Sequence, residues 1–252
     1  MTQALEVQRV TRSFGGVRAL DNFSCVLGHG EILGLIGPNG AGKTTLFNAI
    51  SGFASPDSGA IQCHGHEIAR MAPHDIAACG IARTFQGLRL IRQVSVIDNI
   101  LLCMGKMIGE SLQSIVFRWG ACQKQERAKQ ARAAEVLRKV GLEDKSEEAA
   151  ENLSYGQQKL LTVACCTASD AKVLLLDEPV AGIAPPMIEQ VLALMEGMRS
   201  EGRSIMFVEH NIAAIMQICD RVIFMDAGAM VCEGTPERVR NDPRVIEAYL
   251  GR

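Results

Sequence analysis

Aromatic residues are scarce in this 252-residue chain. Phenylalanine, tyrosine and tryptophan together make up 4% of it, with a single tryptophan and two tyrosines. So few flat rings leave little surface on which nucleobases could stack. An excess of positive charge is missing too. The formal net charge is −2, which excludes a global basic field for nucleic acid. No apolar run approaches the ~18 residues of a membrane span. If the protein works at a membrane, another chain must provide the passage. Residues 1 to 14 contain no apolar signal-peptide core, so no such peptide is expected. The nine cysteines are odd in number and scattered, with no paired CxxC. That argues against a disulfide framework and for a reducing compartment. The adjacent Cys165 and Cys166 read as buried core positions. Internal repeats and low-complexity tails are absent as well. What remains is a chain with 48% hydrophobic and 21% charged residues. It is long enough for one large α/β domain, or for one with an inserted lobe.

The densest chemical signal is Gly37-Pro38-Asn39-Gly40-Ala41-Gly42-Lys43-Thr44-Thr45. The apolar run 32–36 leads into it like a buried strand. Leu46, Phe47, Ala49 and Ile50 follow like one face of a helix. The pattern G-x-x-x-x-G-K-[ST] wraps backbone N–H groups around a phosphate at the positive end of that helix. Glycines permit the sharp turn and the close approach of the anion. Lys43 supplies a point charge for the β- and γ-phosphates, and Thr44 a hydroxyl for Mg²⁺.

Along the chain, residues 5–27 read as short strands with turns at Gly15-Gly16 and Gly28-His29-Gly30. The helix after the phosphate loop is expected to end near Gly52. Pro56-Asp57-Ser58-Gly59 signals a turn before short strands at 60–68. From about Leu88 to Asn152 helical patterns dominate, as in 123–140. This stretch reads as a helical lobe inserted in the α/β domain. Its Lys124, Arg127, Lys129, Arg132, Arg138 and Lys139 alternate with Glu126 and Glu135. They form a solvated helix face or a contact with lipid headgroups. After Lys172 the strand–helix alternation returns. Pro185-Pro186 opens one helix, Asn211 is placed to cap the next, and Asp226-Ala227-Gly228 reads as a hairpin turn.

Four apolar segments each end in a functional polar group. Segment 32–36 ends at the phosphate loop, and 81–85 ends at Gln86. Segment 173–176 ends at Asp177-Glu178, and 205–208 ends at Glu209-His210. In α/β sheets ligands sit beyond the carboxyl ends of the strands, so these ends are expected to converge on one nucleotide. Asp177 is placed to hold Mg²⁺ through water. Glu178 is placed to polarise the attacking water, a contribution of typically ~10²–10⁴-fold. The Gln86 amide can reach the metal and water, and His210 can donate to a γ-phosphate oxygen. Phe14 can stack on an adenine ring. Taken singly, these last three read equally as a loop glutamine, a structural histidine and a core phenylalanine. Leu153-Ser154-Tyr155-Gly156-Gln157-Gln158-Lys159 carries capping-box spacing between Ser154 and Gln157, so a helix should begin there. Ser154, Gly156 and the helix N-terminus make a second anion site.

With these residues in place, the chain resembles the nucleotide-binding subunits of ABC transporters. Leu153–Gln157 is similar to the family signature, most often L-S-G-G-Q. The ordered set is Phe14 (A-loop), Gly37–Thr45 (Walker A), Gln86 (Q-loop), Ser154, Gly156 and Gln157 (signature), Val173–Glu178 (Walker B) and His210 (H-loop). The resemblance implies two such chains facing head to tail. Each ATP then lies between Walker A of one and the signature of the other. Further likeness lies in Arg83-Thr84-Phe85-Gln86, Ala181-Gly182-Ile183, Val208-Glu209-His210-Asn211 and the ending 245–251. These resemble the ATP-binding subunits of branched-chain amino acid importers; urea and short-amide importers use near relatives.

The implied fold is α/β: a P-loop NTPase core with a mixed sheet and flanking helices, plus an N-terminal antiparallel β subdomain. A helical subdomain, 88–156, is inserted in a single nucleotide-binding domain of residues 1–252. The implied function is an ATPase driving solute import with ATP and Mg²⁺. Its implied partners are a second ABC ATPase subunit, identical or a paralogue, transmembrane permease subunits and, indirectly, a solute-binding protein, without nucleic acid. The implied place is the cytoplasmic face of the inner membrane, peripherally bound. Segment 87–94, with apolar Leu88, Leu90, Ile91 and Val94, is either a groove wall for a membrane partner or ordinary core. Two residues depart from the subgroup. Ala184 stands where Asn or Asp is usual, and Cys165 where arginine is usual. A soluble ABC ATPase of DNA repair or translation would usually need two cassettes or a long coiled-coil insert. A weakly hydrolytic regulatory module also stays open, whereas a GTPase lacks its Asn-Lys-x-Asp motif.

Overall fold

The computed structural model describes residues 3–85, 88–105 and 119–250. In chain order the strands are β1 (Gln3–Phe14), β2 (Val17–Gly28), β3 (Ile32–Ile36), β4 (Ser58–Cys63), β5 (His66–Glu67), β6 (Ile81–Arg83), β7 (Val173–Asp177), β8 (Ser204–Val208), β9 (Arg221–Asp226) and β10 (Ala229–Gly234). The helices are α1 (Lys43–Ile50), α2 (Pro73–Ala78), α3 (Val96–Cys103), α4 (Trp119–Lys139), α5 (Tyr155–Ala168), α6 (Pro185–Ser200), α7 (Ile212–Ile218), α8 (Pro236–Arg240) and α9 (Pro243–Leu250). The chain divides into two compact units. One comprises 1–86, 171–181 and 195–252; the other comprises 87–170 and 182–194.

The first unit holds both sheets. A six-stranded sheet runs β10-β9-β3-β8-β7-β6, parallel except for the β9–β10 hairpin. Every residue of β3, β7 and β8 is buried. Continuous apolar runs suit strands covered on both faces, where each buried Val, Leu, Ile or Phe contributes about 1.5–3 kcal/mol. The register pairs Leu35 with Val208 and Val208 with Asp177, so three strands finish level. A second, antiparallel sheet runs β2-β1-β4-β5. One core cluster joins Phe23 and Leu27 of that sheet to Leu33 and Leu35 of β3 and to Leu46, Phe47 and Ile50 of α1.

The N-terminal strands are longer than the short strands expected from sequence. β1 and β2 each run 12 residues. Register shifts interrupt them, one between Val7 and Val10 where Arg9 sits at φ 46°. Such bulges break the period-two alternation by which a long strand is read. Gly15 and Gly16, at φ 53° and 87°, close the β1–β2 hairpin, and Ala227 and Gly228, at φ 45° and 82°, close β9–β10. Two positive φ values in a two-residue loop match the right-handed twist of the flanking strands.

The second unit is helical among its described residues. α4 keeps Lys124, Arg127, Arg132, Arg138 and Lys139 exposed while Ala133, Val136 and Leu137 are buried. Arg132 pairs with Asp170 at 2.9 Å, Lys139 with Glu135 at 3.3 Å, and Lys129 donates to the Met104 carbonyl. Three of the six cations are thus engaged within the protein, as suits a solvated helix face. In segment 88–94, Ile91 is 48% exposed whereas Leu88, Leu90 and Val94 are half-buried. Asn99 anchors it: the Asn99 side chain accepts from Ile91 N–H and donates to the Ile91 and Val94 carbonyls.

Candidate functional site

The loop between β3 and α1 turns on glycines that no other residue could replace. A Cβ at Gly37 would overlap the Met225 carbonyl oxygen, and one at Gly42 the Ala19 carbonyl oxygen. Gly42, at φ 101°, is the N-cap of α1; no side chain caps this helix and no acid sits in its first turn. Its positive end therefore stays available for an anion. Lys43 is 6% exposed. The Lys43 ammonium donates to the Gly37 and Pro38 carbonyls at 2.7 and 2.9 Å. Burial pushes its pKa below the usual lysine range, and Glu178 and Asp177 act against that shift. A cleft opens here, lined by residues 39–45 with Ala19, Glu178, Val208 and His210.

Glu178 and His210 are placed by the level ends of β7 and β8. Glu178 N–H donates to the Val208 carbonyl at 2.9 Å, and Glu178 sits at φ 50°. A non-glycine residue in that region stores roughly 1–3 kcal/mol of strain, held by its surroundings. The kink carries Glu178 Oε1 to 3.4 Å from His210 Nε2. Glu178, His210, Lys43 and the loop Asn39–Thr45 thus share one cleft.

Asp177 is 3% exposed. It is met from behind by Arg83, whose Nη2 lies 3.3 Å from Oδ2. Arg83 Nη1 donates to Asn48 Oδ1 and Ser51 Oγ, both at 2.8 Å. The guanidinium also lies 4.7 Å from the Phe85 ring and 5.5 Å from that of Phe47. Thr84 adds a hydroxyl that accepts Asp177 N–H at 2.8 Å. Glu209 is 1% exposed. It accepts N–H groups of Val180, His210 and Asn211 at 2.9, 2.9 and 3.2 Å. Sequence reasoning gave no site role to Arg83, Thr84 or Glu209. The signals were the place of each beside a strand end and their presence in the segments 83–86 and 208–211 that carry the closer family likeness.

Phe14 stands at the tip of the β1–β2 hairpin, 48% exposed, with the Arg12 guanidinium 4.7 Å from its ring centre. It is not among the cleft-lining residues. Gln86 falls outside the described residues. Ser154, Gly156 and Gln157 belong to the helical unit. There Ser154 Oγ accepts from Gln157 N–H at 3.3 Å and Gln157 Oε1 accepts from Ser154 N–H at 3.0 Å, a complete capping box. Gly156 packs so closely on Met187 that a Cβ would displace its sulfur. Asn211 caps α7, accepting from Ala214 N–H at 3.1 Å.

Among the described residues no group of three His, Cys, Asp or Glu is arranged to hold a metal. The Thr44 hydroxyl in the cleft and the Asp177 carboxylate are the expected metal donors within those residues. So small a set of hard oxygen donors fits a cation that keeps most of its waters and takes other ligands from phosphate.

Residues 20–181 match the family described as ABC transporter. Residues 229–252 match one described as branched-chain amino acid ATP-binding cassette transporter. The chain is 36% identical over 248 residues to BraF of Pseudomonas aeruginosa, a high-affinity branched-chain amino acid transport ATP-binding protein, covering 98% of this chain and 97% of that one. It is 37% identical over 248 residues to LivG of Salmonella typhimurium, a protein of the same description, with the same coverage. Among solved structures it resembles an ATP-binding cassette of an ABC transporter in its ADP conformation. There the TM-score is 0.84 and the identity 28%, with 100% of both chains covered. A nucleotide-free cassette from an ABC transporter gives the same TM-score and identity, covering 99% of this chain and 100% of that one.

Proposed function

The chain belongs to the ABC transporter family, and from that premise we propose that it is the ATP-hydrolysing subunit of an importer for branched-chain amino acids. The observation that carries this reading is one cleft containing Lys43, the uncapped start of α1, Glu178 and His210. The glycine loop and Lys43 bind the β- and γ-phosphates. Glu178 takes the proton of the attacking water, and His210, 3.4 Å away, orients that carboxylate and donates to the phosphate being cleaved. Mg²⁺, when bound, supplies charge neutralisation of the phosphate oxygens; Thr44, Asp177 and Gln86 are the residues that would hold it, in part through water. Phe14 stacks on the adenine.

Ser154, Gly156 and Gln157 head a second anion-binding helix end. We assign it to the ATP of a neighbouring ATPase subunit, so that two subunits enclose each nucleotide. No helix among the described residues is long and apolar enough to cross a membrane. Permease subunits therefore carry the solute, fed by a solute-binding protein, with this chain peripheral on the cytoplasmic face. Residues 1–252 then act as one nucleotide-binding domain, with 88–156 as its helical lobe. The substrate class rests on the match at 229–252 and on the names of the relatives.

The test is ATP turnover by the assembly in proteoliposomes, with solute-binding protein carrying leucine, isoleucine, valine or urea. Stimulation by the three branched-chain amino acids and loss of both ATP affinity and turnover in Lys43→Ala are expected. Stimulation by urea alone would replace the substrate, and unchanged turnover in Lys43→Ala would remove Lys43 from the site.

A further inference from the structure

The chain has seven asparagines, and Asn39 alone is followed by glycine. The pair lies in the phosphate loop. Asn39 and Gly40 are both exposed and form the middle of a turn in which Ala41 N–H donates to the Pro38 carbonyl at 3.2 Å. Gly40, at φ 81°, takes the third position of that turn, where a positive φ favours glycine. A Cβ built on Gly40 meets nothing within 4 Å, so its peptide is uncrowded. Among the described residues, neither the Asn39 side chain nor the Gly40 N–H has a hydrogen-bond partner. We propose that Asn39–Gly40 is a spontaneous deamidation site, at which water converts asparagine to aspartate or isoaspartate unless a nucleotide occupies the loop.

The reaction needs a backbone nitrogen that can reach the neighbouring side-chain carbonyl. Glycine presents that nitrogen without a side chain to obstruct it. The Gly40 nitrogen bonds to Asn39 Cγ and the bond from Cγ to the side-chain nitrogen breaks. Ammonia leaves with the former Gly40 proton, and a five-membered imide remains. Water then opens the ring. Its oxygen bonds to one of the two imide carbons, and one of its protons goes to the nitrogen. Opening at Cγ restores the chain with an aspartate. Opening at the main-chain carbon leaves an isoaspartate, whose chain runs through the side chain and is one carbon longer. One water is consumed, one ammonia is released, and no electron changes hands.

The other asparagines are guarded. Asn48 Oδ1 accepts from Arg83, Asn99 is 4% exposed with its amide bonded to the Ile91 and Val94 carbonyls, and Asn211 Oδ1 accepts from Ala214 N–H. Asn22, Asn152 and Asn241 precede Phe23, Leu153 and Asp242, whose side chains hinder the same approach.

The consequence rests on the proposed function. Asn39 and Gly40 line the cleft with Lys43. A carboxylate in place of the Asn39 amide sets a negative charge against the phosphates, and the longer chain of isoaspartate misplaces the N–H groups around them. Bound nucleotide holds the turn and its N–H groups on phosphate, so an occupied loop is protected and an empty one ages.

The experiment incubates the full chain for days at mildly alkaline pH, alone and with MgADP, and maps its peptides by mass. The peptide containing Asn39 should become heavier by the difference between hydroxyl and amino. It should do so faster than any other asparagine peptide, and isoaspartyl methyltransferase should label it. MgADP at about 100 times its dissociation constant leaves about one loop in a hundred empty and should slow conversion roughly 100-fold. Asn39→Gln should give no label at this peptide. An Asn39 that stays intact, or that reacts no faster than the other asparagines, would overturn the proposal. Asn39→Asp should bind ATP about tenfold or more weakly than the parent; equal affinity would refute the consequence, and a conversion rate indifferent to bound MgADP would refute the protection. A parent chain that binds no ADP speaks against the proposed function instead, because the mass at Asn39 reads the modification without nucleotide.

Discussion

Arg83 offers the most direct test of how the site is held. Its side chain is 5% exposed and that of Asp177 3%, so the pair at 3.3 Å is shielded from water. Removing one partner of a buried pair typically costs about 3–5 kcal/mol, because the other charge must stay buried without it. The Asn48 and Ser51 side chains lose their shared donor at the same time. Arg83→Met keeps volume and drops the charge, so we expect a loss of about 3–5 kcal/mol. For a chain of this size that corresponds to a melting temperature lower by about 6–20 °C. Arg83→Lys keeps the charge, but one ammonium cannot span the reach of two guanidinium nitrogens, so an intermediate loss is expected. The assay is urea unfolding of the parent, Arg83→Met, Asp177→Asn and the double variant. In the Arg83→Met background, Asp177→Asn should cost less than in the parent, with a coupling of roughly 0.5–3 kcal/mol. Strict additivity, or an Arg83→Met protein as stable as the parent, would refute the reasoning.

The other predictions concern turnover and pH. Glu178→Gln should retain ATP binding, accumulate closed dimers by gel filtration, and slow hydrolysis by roughly 10²–10⁴-fold; wild-type hydrolysis would reject the base assignment. His210→Ala should cut turnover with a modest change in ATP affinity, and persistence of both transport and ATPase would make it structural. His64 stacks on His29 with ring centres 5.3 Å apart, and burial first, then His29 and His66, lower its pKa below 6.5. The unfolded chain then binds this proton more readily than the folded one. Stability should therefore fall as pH drops below about 6.5 and level off once the folded group is protonated. His64→Asn suits the φ of 49° at this position and should flatten that slope in unfolding curves taken from pH 7.5 to 5; an unchanged slope would assign the effect elsewhere.

What could be read from sequence is what short-range physics dictates. The loop after β3 announces itself because Gly37 and Gly42 approach backbone oxygens too closely for any side chain. The all-buried strands β3, β7 and β8 appear as uninterrupted apolar runs. Ser154 and Gln157 close their capping box across three residues, so the spacing is enough. Arg83 could not be read the same way. Its partners Asn48, Ser51 and Asp177 lie 35, 32 and 94 positions away, and no local pattern links them. The bulges of β1 were hidden for a related reason: one residue at positive φ shifts every later side chain to the other face. Residues 182–194 cluster with 87–170, yet no shift in composition marks where they leave the rest of the chain.

Glu209 links the two loops that bring Glu178 and His210 near each other without a direct covalent or helical connection. Glu178 follows β7 and His210 follows β8, and adjacent strand ends alone fix only the backbone. One carboxylate adds a tie between the backbones of the two loops. Its oxygens accept N–H groups from Val180 on one loop and from His210 and Asn211 on the other. Three N–H groups converge on a side chain 1% exposed to water, where a bond once made has no competing solvent. The two loops are therefore hydrogen-bonded through one shared side chain. The strained backbone of Glu178 persists because Val180 is anchored two residues later and Glu178 N–H is bonded to Val208. Glu209 thus ties together the backbone of the loops on which Glu178 and His210 stand. A carboxylate read from sequence as one more strand-end acid is a buried tie between the two loops that carry Glu178 and His210, the residues proposed as base and orienting imidazole.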